Sequence, residues 1–207
     1  MKEHPAWKGF FVLEGIDGSG TTTQLKRLEA KAQNWGLPWH STNEPTGGPV
    51  GRLIREVLQS KYSLNHGTLA RLFGADRQEH LYGASGVRTM LDEGKTVLSD
   101  RYFFSSLAYQ TLDNPWEEVW DVNKAFPLPQ TLFFLDLEAE IALERVHKRG
   151  GAKEIFETLE YQLKVRKQYH LVLDFFKDRG ADIRILDATE TPDQIEERIW
   201  DVIRESR

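Results

Sequence analysis

The sequence predicts an α/β fold in which a five-stranded parallel β-sheet is flanked by α-helices. Two observations carry that expectation. Short apolar, strand-like runs alternate with longer stretches whose apolar residues recur at helical spacing, the pattern of βαβ units. The first of these runs passes through a glycine-rich turn straight into a helix. No repeat, low-complexity tract or Pro/Gly/Ser linker interrupts the chain, so residues 1–207 read as one domain.

Strands are expected at Gly9–Glu14, Trp39–Asn43, Thr96–Asp100, Thr131–Leu137 and Asp182–Asp187. Between them, Thr22–Trp35, Val50–Gln59, Gly67–Glu93, Glu138–His147 and Phe156–Arg179 set apolar residues at helical spacing against charges on the opposite face. A further helix follows the third strand, and the last one starts after Leu186–Pro192. Trp116 and Trp120 share a helical face, as core or as a subunit contact. In open parallel sheets ligands sit beyond the carboxyl ends of the strands, so the residues just after strands 1, 2 and 3 are where chemistry is expected.

Composition narrows the function. With no cysteine, disulfide scaffolds, thiolate metal sites and a cysteine nucleophile are excluded. With 27 Lys+Arg against 32 Asp+Glu, the net charge of −5 argues against a general nucleic-acid or anionic-membrane surface. The apolar run Gly9–Leu13 is too short for a signal peptide, and no run approaches the ~18–20 apolar residues of a spanning helix. A cytoplasmic protein is expected. The six histidines form no metal-site pattern.

The first strand end reads Glu14-Gly15-Ile16-Asp17-Gly18-Ser19-Gly20-Thr21-Thr22-Thr23-Gln24. Three glycines in six residues let successive backbone N–H groups point inward, and the following helix adds its positive end, which together suit a polyphosphate. The spacing Gly15-x4-Gly20-Thr21-Thr22 fits the P-loop pattern, and hence a P-loop NTPase fold, except that the expected lysine is Thr21. Gly15, Asp17, Gly18, Ser19, Gly20, Thr21, Thr22 and Thr23 form the expected nucleotide cradle, with the Thr22 hydroxyl placed for Mg²⁺. A cation is missing there, and removing one preorganised donor typically costs on the order of 3–4 kcal/mol of transition-state stabilisation.

After strand 2 comes Thr42-Asn43-Glu44-Pro45-Thr46-Gly47-Gly48-Pro49-Val50-Gly51, leading to Arg55; after strand 3 comes Ser99-Asp100-Arg101-Tyr102-Phe103-Phe104-Ser105-Ser106-Leu107-Ala108-Tyr109-Gln110. Between them lies Leu72-Phe73-Gly74-Ala75-Asp76-Arg77. Phe73 and Arg77, four apart, share a helical face, and an aromatic plate beside a planar donor suits a nucleobase. Ser106, Tyr109 and Gln110 share another face. Singly, each is an ordinary helix residue, and Arg77 could pair with Asp76 or Glu79; jointly, downstream of a phosphate loop, they point to a nucleotide.

These blocks, in this order and over nearly the whole chain, resemble the thymidylate kinase family. The resemblance implies transfer of a phosphoryl group from ATP to dTMP with Mg²⁺, and a homodimer. It implies that Phe73 stacks on thymine, that Arg77 and Ser106 read its edge with Gln110 nearby, and that Tyr109, beside Ser105, crowds the sugar where a ribose carries its 2′-hydroxyl. Arg101 would grip the phosphates between donor and acceptor, Asp100 would hold Mg²⁺ through water, and Asp17 and Glu44 would lie near the acceptor. Two departures are visible: Thr21, and Asn43 where the family has arginine before Glu-Pro, which leaves Arg55 to meet the acceptor phosphate.

A lid is expected at about 145–156, where Arg145 to Lys153 carries positive charges and no acid. Arg145 falls at a nucleotide-binding position of the family, and Lys148, Arg149 or Lys153 is expected to replace the cation missing at Thr21. The alternative readings are a related deoxynucleotide or deoxynucleoside kinase, and a nucleotide-binding regulator with little catalysis.

Overall fold

In the computed structural model, which describes residues 5–150 and 158–206, all five strands lie parallel in one sheet of order β2-β3-β1-β4-β5. The strands are β1 (Ala6–Gly15), β2 (Trp39–Asn43), β3 (Thr96–Asp100), β4 (Leu128–Asp136) and β5 (Ile183–Asp187). The helices are α1 (Thr21–Asn34), α2 (Pro49–Leu58), α3 (His66–Tyr82), α4 (Val87–Asp92), α5 (Phe103–Tyr109), α6 (Trp116–Asn123), α7 (Ala139–Arg149), α8 (Leu159–Lys177) and α9 (Pro192–Glu205). None of the described helices is long and apolar enough to cross a membrane.

The expected strands are all present, with two extended. β1 begins at Ala6 and β4 at Leu128, because Ala6 pairs with Leu128 and Trp7 with Pro129 before the register shifts and Phe11 pairs with Thr131. Phe10, Phe11, Val12 and Leu13 are buried on both faces, as a central strand between two layers of helices requires. Each such side chain contributes about 1.5–3 kcal/mol through burial.

One expected helix is two. The stretch Gly67–Glu93 breaks after Tyr82, and residues 83–86 turn before α4. A Cβ on Gly83 would lie 2.6 Å from the Glu79 carbonyl oxygen, and one on Gly86 would lie 2.8 Å from that of Leu81. The turn folds back so tightly on the end of α3 that only glycine fits at both positions. Gln110 also departs from the expected helix: it starts a 3-10 turn, Gln110–Leu112, directly after α5.

Trp116 and Trp120 stack at 6.3 Å and meet Phe175 edge-on at 5.4 and 5.6 Å, so they pack against the main core. A satellite core of Ile54, Val57, Leu58 and Leu69 joins α2 to α3, with Phe73 half-buried against it. In the first turn of α2, Gly51 faces the Thr46 turn, where a Cβ would stand 2.0 Å from the Thr46 carbonyl oxygen. Gly51→Ala is therefore expected to lower stability by about 1–3 kcal/mol in urea denaturation, the usual cost of forcing atoms into a filled space.

Candidate functional site

The turn after β1 brings its glycines into close quarters. A Cβ on Gly15 would sit 2.4 Å from Ser19 Oγ, and one on Gly18, at φ +89°, would sit 2.2 Å from the Ala142 carbonyl oxygen. Gly20, at φ +106°, is the N-cap of α1 and supplies no side-chain cap, so the first N–H groups of the helix have no side-chain acceptor there. Thr21 is buried where the helix starts. Thr22 Oγ1 donates to Asp100 Oδ2 at 2.5 Å, which ties this turn to the end of β3. The second oxygen of Asp100 is buried and has no hydrogen-bond partner among the described residues.

Two cavities open at these strand ends. The larger, about 870 Å³, runs along residues 17–26 to Asp100 and on to Arg145, Ala188 and Ile195. The smaller, about 190 Å³, has apolar walls from Leu58, Leu69 and Phe73 and polar ones from Ser105, Ser106 and Gln110, with Arg77 and Tyr109 completing it. Asp17, Glu44, Pro45, Arg55 and Arg101 line both, so the cavities share one wall.

Arg101 is the centre of that wall. Its backbone adopts φ +76°, held by a 2.9 Å bond from its N–H to the Leu13 carbonyl and a 2.8 Å bond from Ser99 Oγ to its own carbonyl. The guanidinium donates to Asp17 Oδ1 and Tyr169 Oη, both at 2.8 Å, and to the Gly15 carbonyl. Burial works against its charge, yet Tyr169, Tyr109, Asp17 and Glu14 outweigh that and hold its pKa well above the ordinary arginine value.

Glu14, which sequence reasoning passed over, lies beneath Arg101 with no solvent access. Its carboxylate accepts from the N–H groups of Tyr102 (2.9 Å) and Ser105 (3.2 Å), from Ser105 Oγ (2.6 Å) and from Tyr169 Oη (2.8 Å), with Arg101 at 3.9 Å. Burial raises its pKa to about 7, against the opposing pull of Arg101, Ser105 and Tyr169. The available signal was an acid inside the apolar run Phe-Phe-Val-Leu-Glu-Gly.

Arg77 is fully buried and pairs with Glu44, not with Asp76 or Glu79. Its Nε and Nη2 reach Glu44 Oε2 at 2.9 and 2.7 Å, Nη2 reaches Ser106 Oγ at 3.1 Å, and Nη1 reaches Asn123 Oδ1. Glu44 also meets His80 Nδ1 at 2.9 Å, and His80 Nε2 meets Thr42 Oγ1 at 2.7 Å. Burial pushes the Glu44 carboxyl up, but Arg77 and His80 outweigh it and hold the pKa below the usual range. His80 and Asn123 had no signal in the sequence, because their partners are chosen by tertiary packing.

Asp76 instead anchors the turn before α2, accepting from Thr46 N–H at 2.7 Å and Thr46 Oγ1 at 2.6 Å. Arg55 donates to the Pro45 and Thr46 carbonyls of the same turn. Arg145 donates to the Ala188 carbonyl at 3.1 Å on the far wall of the larger cavity. Lys148 is 80% exposed, pairs with Glu144 at 3.8 Å and lines neither cavity. Arg149 is the last residue of α7. Lys153, with the second half of the expected lid (residues 151–156), lies outside the described residues.

Glu14 yields a pH prediction. Its carboxyl binds its proton more tightly folded than unfolded, so between its ordinary value of 4.5 and about 7 the folded state holds more protons and stability falls as pH rises. The contribution is on the order of 3 kcal/mol. Denaturant titrations stepped from pH 5 to pH 8 are expected to show this decline, and Glu14→Gln is expected to flatten it while lowering stability at pH 8, since an amide cannot accept all four donors.

Comparison with known proteins agrees with this geometry. The family model described as thymidylate kinase matches residues 13–199. A Treponema pallidum protein provisionally named a thymidylate kinase is 42% identical over 200 residues, 96% of each chain. The thymidylate kinase of Leptospira borgpetersenii serovar Hardjo-bovis is 38% identical over 189 residues, 90% of this chain and 88% of its own. With a five-stranded parallel sheet, a glycine-rich turn at the end of its central strand and a match over most of its length, the chain belongs to the thymidylate kinase family.

Proposed function

We propose that the chain transfers the γ-phosphoryl group of ATP to dTMP, as a cytoplasmic homodimer. The observation that carries this reading is the pair of cavities with a common wall at Arg101, Arg55 and Asp17. A transferring phosphoryl group must lie between two nucleotides. The large cavity, with its glycine-rich turn, has room for a nucleoside triphosphate, and the small one, with Phe73 and a few polar groups, suits a single pyrimidine.

Phe73 offers the stacking surface, while Ser106, Gln110 and the Glu44-clamped Arg77 offer the edge contacts. The amide oxygen of Gln110 has no hydrogen-bond partner among the described residues, so it is an acceptor in reserve for a base N–H. Tyr109 crowds the sugar, and Arg55 takes the acceptor phosphate. Arg101 is already held rigid by Asp17 and Tyr169, so it neutralises charge on the transferring group without having to reorganise. No general base is required, because phosphoryl transfer is mainly a matter of positioning and charge.

Asp100 and Thr22 fit Mg²⁺. The site offers one carboxylate, with a buried oxygen lacking a partner, and one hydroxyl, and Mg²⁺ usually binds through one or two carboxylates together with phosphates and water. When bound there, the ion would neutralise phosphate charge. Arg145 and the Ala188 carbonyl offer the adenine-side contacts.

The deciding measurement is ADP formation with and without dTMP, set beside dUMP and thymidine as acceptors. ADP production that does not depend on dTMP, or a preference for another acceptor, would overturn the reading. Phe73→Ala is expected to weaken dTMP about 10- to 100-fold, the worth of one base stack, and Asp100→Asn is expected to lower kcat at least about 100-fold. Light scattering in solution would test the dimer.

A further inference from the structure

The turn that should cradle the donor phosphates has no cation between Gly15 and Thr23, and Thr21 is buried where a lysine was expected. The cations that line the larger cavity are Lys26, Arg55, Arg101 and Arg145. Three of them are held by protein groups and already have a place in the reading above, Arg101 at the transferring group, Arg55 at the acceptor phosphate and Arg145 on the adenine side. Arg55 is bound to the Pro45 and Thr46 carbonyls, Arg101 to Asp17, Gly15 and Tyr169, and Arg145 to Ala188.

Lys26 differs. It is exposed, and its ammonium makes no hydrogen bond or ion pair among the described residues. The contrast holds within its own helix: Arg27 is paired with Asp193 and Glu196, and Lys31 with Glu196 and Glu197, so those two basic residues fasten α1 to α9. Lys26 takes no part in that seam.

Its position suits a phosphate contact. Lys26 is four residues after Thr22, so the two share a helix face, and Thr22 is the residue bonded to Asp100. Four residues span about 6 Å of helix axis. The Cα–Cβ bond already leans toward the helix N-terminus, and a flexible four-carbon stem carries the ammonium the rest of the way. From the structure we infer that Lys26 supplies, from one turn inside α1, the phosphate-neutralising cation that position 21 lacks. This rests on the kinase reading above and names a residue that contacts the donor's β- and γ-phosphates, a role first expected of Lys148, Arg149 or Lys153.

The test compares the parent enzyme with Lys26→Ala, Thr21→Lys and the double variant. Each is assayed for dTMP-dependent ADP formation, and for Mg·ATP and AMP binding by calorimetry. Lys26→Ala is expected to lower kcat about 100-fold, the usual effect of removing one donor to transition-state charge, and to weaken Mg·ATP while leaving AMP and dTMP affinity and the thermal midpoint unchanged. Thr21→Lys is expected to restore most of the loss in the Lys26→Ala background, by a larger factor than it changes turnover in the parent, the non-additivity that a shared role produces.

Turnover of Lys26→Ala within twofold of the parent would overturn the inference and leave the kinase assignment standing. So would additive effects of the two substitutions. A parent without dTMP-dependent turnover would refute the kinase reading, and the binding arm would still decide the inference: equal losses for Mg·ATP and AMP would show that Lys26 does not meet the β- and γ-phosphates.

Discussion

A carboxylate shut away from water, with an arginine lying over it, is the constraint on which the rest of the site depends. Glu14 ends the apolar part of the central strand, and its two oxygens collect donors from the turn after β3, from the start of α5 and from α8. A buried acid of this kind is costly unless its lone pairs are all met. Meeting them fixes the relative positions of four elements. Arg101 inherits that rigidity, since the tyrosine that bonds Glu14 also bonds Arg101, and its positive φ persists only because the surrounding bonds leave the backbone no other arrangement.

The same logic governs the smaller cavity. Arg77, Glu44 and His80 form one buried relay that ends at the half-buried Thr42, with Ser106 and Asn123 taking further guanidinium donors. In a low-dielectric interior such a relay is worth having only when every member is satisfied. The outcome is a planar donor that cannot swing, beside a half-buried aromatic ring. Along the larger cavity the design is looser: α1 has no side-chain cap, and among the described residues one Asp100 oxygen and Lys26 have no partner. One wall is set in advance; the other keeps polar groups open to the cavity.

Much of this was legible in the sequence. The strands declared themselves as short apolar runs, and the open-sheet rule then pointed to their carboxyl ends, where Asp17, Glu44, Asp100 and Arg101 do converge on one cleft. What could not be read were choices made in three dimensions. Helical spacing runs unbroken across residues 67–93 in apolar pattern, and only the close approach of Gly83 and Gly86 to the carbonyls of α3 stops the helix. Arg77 has acids nearby in sequence at Asp76 and Glu79, yet it reaches across to Glu44 while Asp76 secures Thr46. Glu14 looked like a strand's polar terminus, and its importance comes from donors more than eighty residues away.

The place of β1 in the sheet has a consequence for how the chain comes into being. The central strand is synthesised first, but Phe10 pairs with Val97 and Phe11 with Thr131, so both neighbours emerge far later. At about 5–20 residues per second, on the order of 4–20 s pass before even the nearer partner leaves the ribosome. Throughout that interval Phe10-Phe11-Val12-Leu13, the most deeply buried segment of the finished sheet, is an unpaired and sticky stretch of nascent polypeptide. The strand order that centres the glycine-rich turn between two neighbours thus makes β1 the longest-waiting strand of the sheet, and ties successful biogenesis to whatever shields it until β3 and β4 arrive.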